Sequence, residues 1–181
     1  VNLPPFVLGI IEKFQKAVRL FKRAGYKNLL LHAAATGATL LDSKYHLDAV
    51  RIGIGLYGLW PSKELEIHLS KIRLRPVLSW RAVLSEVKQA AAHSFVGYDL
   101  TERLEKPTKI AVLPVGYWHG FPRGLSSIGE AIVRGKRAGV LGRVSMDLAT
   151  LNVQHIACRP GDVVTLVGRD RDTELKAFEV A

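Results

Sequence analysis

Cysteine is all but missing. Cys158 stands alone, so no disulfide can form within the chain, a usage that fits a reducing cytoplasm. Methionine is as scarce: Met146 is the only one, interior to a chain that starts at Val1. No basic, apolar and small-residue succession of a secretory leader follows that start, and the expectation is of a piece of a longer polypeptide. Long apolar runs are lacking too. Lys, Arg or Gly interrupts each one well short of the roughly 18 residues a membrane crossing needs, so no membrane span is expected. No internal repeat or low-complexity segment is present either. What remains is 181 residues, 48% apolar and 23% charged, enough for a real core in one domain or parts of two.

Acidic residues are the minority sign, and the net charge of +10 raises the question of nucleic acid. Its distribution argues against that partner. Residues 1–60 carry 8 basic and 3 acidic side chains and residues 61–181 carry 18 and 13, so the excess is spread evenly. The densest group, Arg134, Lys136 and Arg137, surrounds Gly135 in an expected hairpin turn with no aromatic residues to stack bases. A solvated basic surface is the reading, and no nucleic-acid partner is expected.

The first sixty residues alternate helical and strand periods. Phe6, Ile10, Phe14, Ala17, Val18 and Phe21 fall on one helical face, with Gly25 placed to end the helix. Residues 27–32 read as a buried parallel strand, residues 36–41 as a short helix and residues 50–57 as another strand. That order is the tail of an α/β barrel or of a doubly wound sheet. From about Ser70 the period becomes two, first over residues 78–86. Residues 110–114, 131–134, 149–153 and 163–167 then read as further short strands between Gly, Pro and charged turns, which describes a compact all-β domain. Pro61, Lys63, Glu64 and Glu66 mark a linker, and the domains are placed at 1–70 and 71–181.

Several residues stand out chemically. Arg51, inside the run VRIGIGLYG, is costly at a strand's end unless it snorkels or meets a specific acceptor. The glycines of that run suit close packing, and backbone amides at a barrel strand's C-terminal end also suit a phosphate. Thr36 reads as a helix N-cap or a phosphate ligand. His32 reads as a packed strand-end residue. Tyr98, after Gly97, is by itself an ordinary hairpin tyrosine. Gly116, Gly120 and Pro122 carry turn chemistry, and Met146 alone reads as core filler.

Taken together and in this order, VRIGIGLYGLWPS at residues 50–62, FVGYDLT at 95–101 and GRVSMD at 142–147 resemble the C-terminal half of alanine racemase, a pyridoxal-phosphate (PLP) enzyme. The resemblance implies the last strands and helices of a (β/α)8 barrel followed by a compact all-β domain. It implies that Arg51 donates to the PLP pyridine nitrogen and that the amides of Gly53 and Ile54, with Thr36, hold the phosphate. Where the family usually has Asn then Ser, this chain has Ala35 and Thr36, so the hydroxyl is kept and the amide lost.

Tyr98 is implied to be the base on one face of the substrate. A phenol holds its proton at neutral pH unless cationic neighbours intervene. VGYWHGFPR is similar to the family's VGYADGYPR: Tyr117 matches a second active-site tyrosine near the substrate, Arg123 a residue of the access channel, and Trp118 and His119 replace Ala and Asp. In GRVSMD the N–H of Met146 is implied to contact the substrate carboxylate, Arg143 to line the access path and Asp147 to order the loop.

The family's PLP lysine and carboxylate-binding arginine match nothing here and would precede Val1, and a further phosphate-binding tyrosine would follow Ala181. The implied whole is a cytoplasmic head-to-tail homodimer that interconverts L- and D-alanine for cell wall, without metal. The isolated 181 residues are expected to be inactive. A serine or broad-specificity racemase and a non-catalytic degenerate homologue are the alternative readings.

Overall fold

A long amphipathic helix, α1 (Leu3–Arg23), opens the described part of the protein, a computed structural model that describes residues 3–180, with nothing to be said of the side chains of residues 3–6. The expected role of the Phe6 side chain therefore lies outside the described residues. The half-buried stripe is Val7, Ile11, Phe14 and Val18, at the spacing one helical face requires, whereas Ile10 and Phe21 are exposed. The helix ends as the sequence predicts. Gly25 adopts φ 97, Tyr26 N–H donates to the Phe21 carbonyl, Gly25 N–H to that of Lys22, and the Phe21 and Tyr26 rings meet edge to face. This is a Schellman closure with its apolar contact.

Two compact units divide the chain, residues 1–77 and 78–181. The division falls after Ser70 because residues 75–77 are tied to the first unit. Val77 N–H donates to the Tyr57 carbonyl, and a Cβ on Gly58 would sit 1.9 Å from the Arg75 carbonyl oxygen. The segment expected as a linker forms a helix, α3 (Lys63–His68), whose N-cap Ser62 accepts from Leu65 N–H.

The two strands expected in the first unit are not regular strands. Residues 27–32 carry no regular secondary structure and no ladder of their own. Their links are Leu31 N–H to the Asp48 carboxylate and Asp48 and Ala49 N–H to the Leu31 carbonyl. Residues 50–53 run beside 34–35 through one parallel bridge, Ala35 with Arg51. The chain then turns into the 3-10 helix Ile54–Tyr57, because the glycines at 53, 55 and 58 favour a tight turn over a continued strand. The short helix α2 (Thr36–Leu41) forms as read.

The core lies in the second unit. Its strands are β1 (Trp80–Val83), β2 (Glu86–Ala90), β3 (Phe95–Val96), β4 (Glu102–Arg103), β5 (Thr108–Leu113), β6 (Glu130–Val133), β7 (Lys136–Leu141), β8 (Ala149–Asn152), β9 (Val163–Asp170) and β10 (Thr173–Leu175), followed by a last turn, α4 (Ala177–Val180). The main sheet runs β1-β9-β6-β7-β8-β5-β2, with β10 on β9, and β3 and β4 form a separate hairpin. The alternation read across 78–86 is broken at Leu84 and Ser85, where the chain changes neighbours: Leu84 N–H donates to the Asp162 carbonyl and Ser85 N–H to that of Val112. Since β1 and β2 are the two ends of the sheet and only two residues join them, the sheet must curl back on itself. Leu84, Leu113, Phe121, Ile132, Leu151 and Leu166 are fully buried inside it, each worth about 1.5–3 kcal/mol of removed apolar surface.

Arg134 (φ 50) and Gly135 (φ 75) form the β6–β7 turn, with both central residues at positive φ as a two-residue hairpin prefers. The cations around it are engaged. Arg134 makes a two-pronged pair with Asp162 at 2.8 and 2.9 Å, and Arg137 pairs with Glu130 and Glu179. The Arg134 guanidinium, helped by Arg159 N–H, holds the Asp162 carboxyl at about 2, below its ordinary 3.8. A carboxyl depressed in the folded state contributes stability that is complete above its unfolded value and lost as pH falls through its folded value. Asp162→Asn should therefore lower stability at neutral pH and flatten the loss of stability between about pH 4 and 2, read from urea midpoints across that range.

Candidate functional site

The first unit gathers donors at one corner. Thr36 is buried and opens α2, but it is not the cap: Ala35 holds that position with no side-chain bond. The Thr36 hydroxyl faces the neighbouring loop and accepts from Gly53 N–H (3.2 Å) and Gly55 N–H (3.4 Å). Gly55 must lack a side chain here, since a Cβ would lie 2.5 Å from Thr36 Cγ2. Ile54 N–H begins the 3-10 turn, where an amide has no intrahelical acceptor.

Arg51 is exposed, yet its guanidinium is held on three sides. Nη1 lies 2.8 Å from His32 Nδ1 and donates to the His32 carbonyl, and Nη2 donates to that of Ala33. Because arginine is only a donor, Nδ1 must accept and the ring proton must sit on Nε2. His32 is thus a partner of Arg51 rather than a packed strand-end residue. The signal was its place at the end of one extended segment beside the end of the next. Arg51 keeps Nε and part of Nη2 for a further acceptor.

This corner fits PLP by the chemistry of its donors. The Thr36 hydroxyl, the Ile54 amide and the Arg51 guanidinium suit a phosphate and an unprotonated ring nitrogen, while Gly53 N–H is already spent on Thr36 and would have to exchange that bond to reach a phosphate. Among the described residues no group of His, Cys, Asp or Glu could hold a metal ion, and no helix is long and apolar enough to cross a membrane.

The second unit carries the phenol. Tyr98 opens a tight turn, Tyr98–Leu100, between β3 and β4 and is 65% exposed. It lines an open cavity of about 270 Å³ with Arg143, Ser145 and Thr150. Arg143 Nη1 reaches Asp99 Oδ2 at 2.7 Å, a pairing the sequence reading missed. Only the acidic residue beside the tyrosine hinted at it.

Tyr117 and Met146 are brought together by a backbone clasp. Tyr117 N–H donates to the Ser145 carbonyl and Trp118 N–H to that of Met146, both at 3.0 Å. Gly116 makes this possible, since a Cβ there would lie 2.1 Å from the Ser145 carbonyl oxygen. Phe121, fully buried and edge-to-face with Trp80, roots the loop in the core. The Arg123 guanidinium lies 6.0 Å from the Tyr117 ring centre. His119 Nδ1 accepts from Gly116 N–H, so the residue that replaces the family's Asp shapes its own turn. Trp118 is 77% exposed. Ser145, not Asp147, orders the 145–148 loop: its hydroxyl donates to the Leu148 carbonyl and accepts from Leu148 N–H. Met146 N–H makes no hydrogen bond among the described residues and remains to receive an anionic oxygen.

Two family models match the chain, "Alanine racemase, N-terminal domain" over residues 5–61 and "Alanine racemase, C-terminal domain" over 77–181. An alanine racemase of Leptospira interrogans is 40% identical over 176 residues, covering 94% of this chain and 45% of that protein. Among solved structures, the alanine racemase of Bacillus anthracis with bound L-Ala-P is 34% identical with a TM-score of 0.88, over 94% of this chain and 44% of its own. That of Streptomyces coelicolor is 30% identical with a TM-score of 0.89, over 99% and 47%. The chain spans less than half the length of the relatives it matches.

Proposed function

This chain belongs to the alanine racemase family, and on that premise we propose that it forms the cofactor-gripping end of a barrel and the β-domain of a PLP-dependent enzyme that interconverts L- and D-alanine. The observation that carries the reading is Arg51, an obligate donor pinned by His32 and two carbonyls. Bound PLP supplies the π system that acidifies the Cα–H bond. Arg51 does not give up its proton, so it orients the ring nitrogen by a hydrogen bond and leaves it neutral. Thr36 and Ile54 hold the phosphate. Met146 N–H holds the substrate carboxylate, Tyr117 narrows the space beside it, and Tyr98 takes or returns the Cα proton on one face.

The first unit is the barrel portion, and the second is the β-domain. The enzyme works as a cytoplasmic head-to-tail homodimer in which Tyr98 of one copy faces Arg51 of the other, and it supplies D-alanine for cell wall. The 181 residues alone do not racemise alanine, because the family's Schiff-base lysine, which also serves the opposite face, matches nothing in this chain.

The test is to express the full-length polypeptide, record the visible absorbance of bound PLP and follow L- to D-alanine conversion, with L-serine as competitor. A band with alanine turnover supports the reading. Comparable serine turnover makes it a broad-specificity racemase, and neither band nor turnover makes it a non-catalytic relative.

A further inference from the structure

The turn that carries Tyr98 is bent into an unfavourable shape, and one neighbour holds both sides of it. Gly97 (φ 80), Asp99 (φ 62) and Leu100 (φ 51) all have positive φ. For residues with side chains that conformation persists only where the surroundings impose it. The surroundings here are Arg143. A Cβ on Gly97 would lie 2.9 Å from the Arg143 amide nitrogen, so the backbone before Tyr98 lies on the Arg143 main chain. After Tyr98, Asp99 Oδ2 meets Arg143 Nη1 at 2.7 Å.

Arg143 is itself anchored on either side. Gly142 (φ 68) packs so closely that a Cβ would be 2.3 Å from the Val96 carbonyl oxygen, and buried Val144 donates its N–H to Ser126 Oγ. The hairpin under the turn is weak by comparison. β3 and β4 pair through two residues each, continued by Leu104 N–H to the Ser94 carbonyl and His93 N–H to that of Leu104, with a Ser127 to Glu102 hydrogen bond, a long one from the Thr101 hydroxyl to the Tyr98 carbonyl and the Arg103 guanidinium over the Phe95 ring as further ties. The hairpin is short and stands apart from the main sheet, and such a hairpin opens at little cost, so one ion pair at its tip has leverage over where Tyr98 points.

Resting on the proposed racemase reading, we infer that Asp99 is a positioning residue for Tyr98 and a mask for Arg143. Its carboxylate holds the left-handed turn that presents the phenol. It also occupies the one guanidinium lining the same cavity, which would otherwise capture the substrate carboxylate away from Met146 N–H. The pair is half exposed, at 40% for Arg143 and 60% for Asp99, so it adds little to global stability. Its effect is local geometry and charge.

Two variants of the full-length polypeptide test this. Asp99→Asn keeps size and tolerance of positive φ but removes the charge, and Asp99→Gly removes the charge and the backbone cost together. In both, amide exchange over residues 97–101, followed by mass spectrometry, should speed up by about threefold to fivefold, while β5 and β8 exchange as before. Turnover number should fall by about tenfold through misplacement of the phenol. Propionate, which is alanine without its amino group, should inhibit several-fold more tightly as Arg143 is unmasked. A merely structural residue would not tighten carboxylate binding while slowing turnover. Unchanged exchange and unchanged propionate inhibition in both variants, with racemisation intact, overturn the inference alone. Faster exchange in a protein that never racemises supports the latch and removes the proposed function instead.

Discussion

Tyr98→Phe should lower L- to D-alanine turnover of the full-length polypeptide by about a hundredfold to ten-thousandfold, the range over which a positioned acid–base group acts. The fold should not change. The side chain is 65% exposed, its hydroxyl is in no hydrogen bond among the described residues, and surface changes of this kind cost within about 0.5 kcal/mol. Chemical denaturation and the PLP band should therefore match the parent protein while rate collapses. Loss of rate accompanied by loss of stability or of cofactor would mean that Tyr98 is structural and that the base is elsewhere. Retained rate would remove Tyr98 from the reaction.

Gly116→Ala should have the opposite signature, a loss of stability with a loss of substrate binding. The added Cβ would sit 2.1 Å from the Ser145 carbonyl oxygen and 2.5 Å from that of Met146, both backbone atoms that no rotamer change can move. Relief requires the two loops to part, which breaks the hydrogen bonds from Tyr117 and Trp118 N–H. Overpacking and two lost bonds together cost about 3 kcal/mol. Urea midpoints should fall accordingly, and KM for alanine should rise because the clasp that sets the Tyr117 loop against Met146 has opened. The approach is so close that a tolerated Ala, with normal midpoint and KM, would mean the clasp is not made in solution.

Legibility in the sequence followed the range of the forces involved. Helix α1 with its Gly25 closure, the Arg134–Gly135 turn and the strands near 110, 131, 149 and 163 were readable, because local periodicity and turn chemistry decide them. Residues 50–57 misled. Their apolar run suits a strand, but Gly53, Gly55 and Gly58 let the backbone turn where Thr36, distant in sequence, receives its amides. The break at Leu84 and Ser85 was equally hidden, since nothing in an alternating stretch says that its two halves pair with different neighbours. At the site, residue type alone singled out Arg51 among its glycines, whereas Tyr98 stood out only through the family resemblance. The chain did not announce what orients them. His32 and Asp99 act through contacts whose meaning exists only once the chain is folded, and each is an ordinary residue in its local context.

The sheet order has a consequence for the birth of the protein. β1 pairs with β9, Trp80 opposite Val167 and Val83 opposite Val163, so the first strand of the second unit has its partner far along the chain, beyond every other strand of the main sheet's path. Separations of that size make for slow folding. During synthesis, Trp80–Val83 must wait unpaired while the strands between it and β9 emerge, and an unpaired strand is open to the wrong partner. A ribosome that stalled before Val163 would leave β1 without that partner, so the unit should be most aggregation-prone until β9 has emerged.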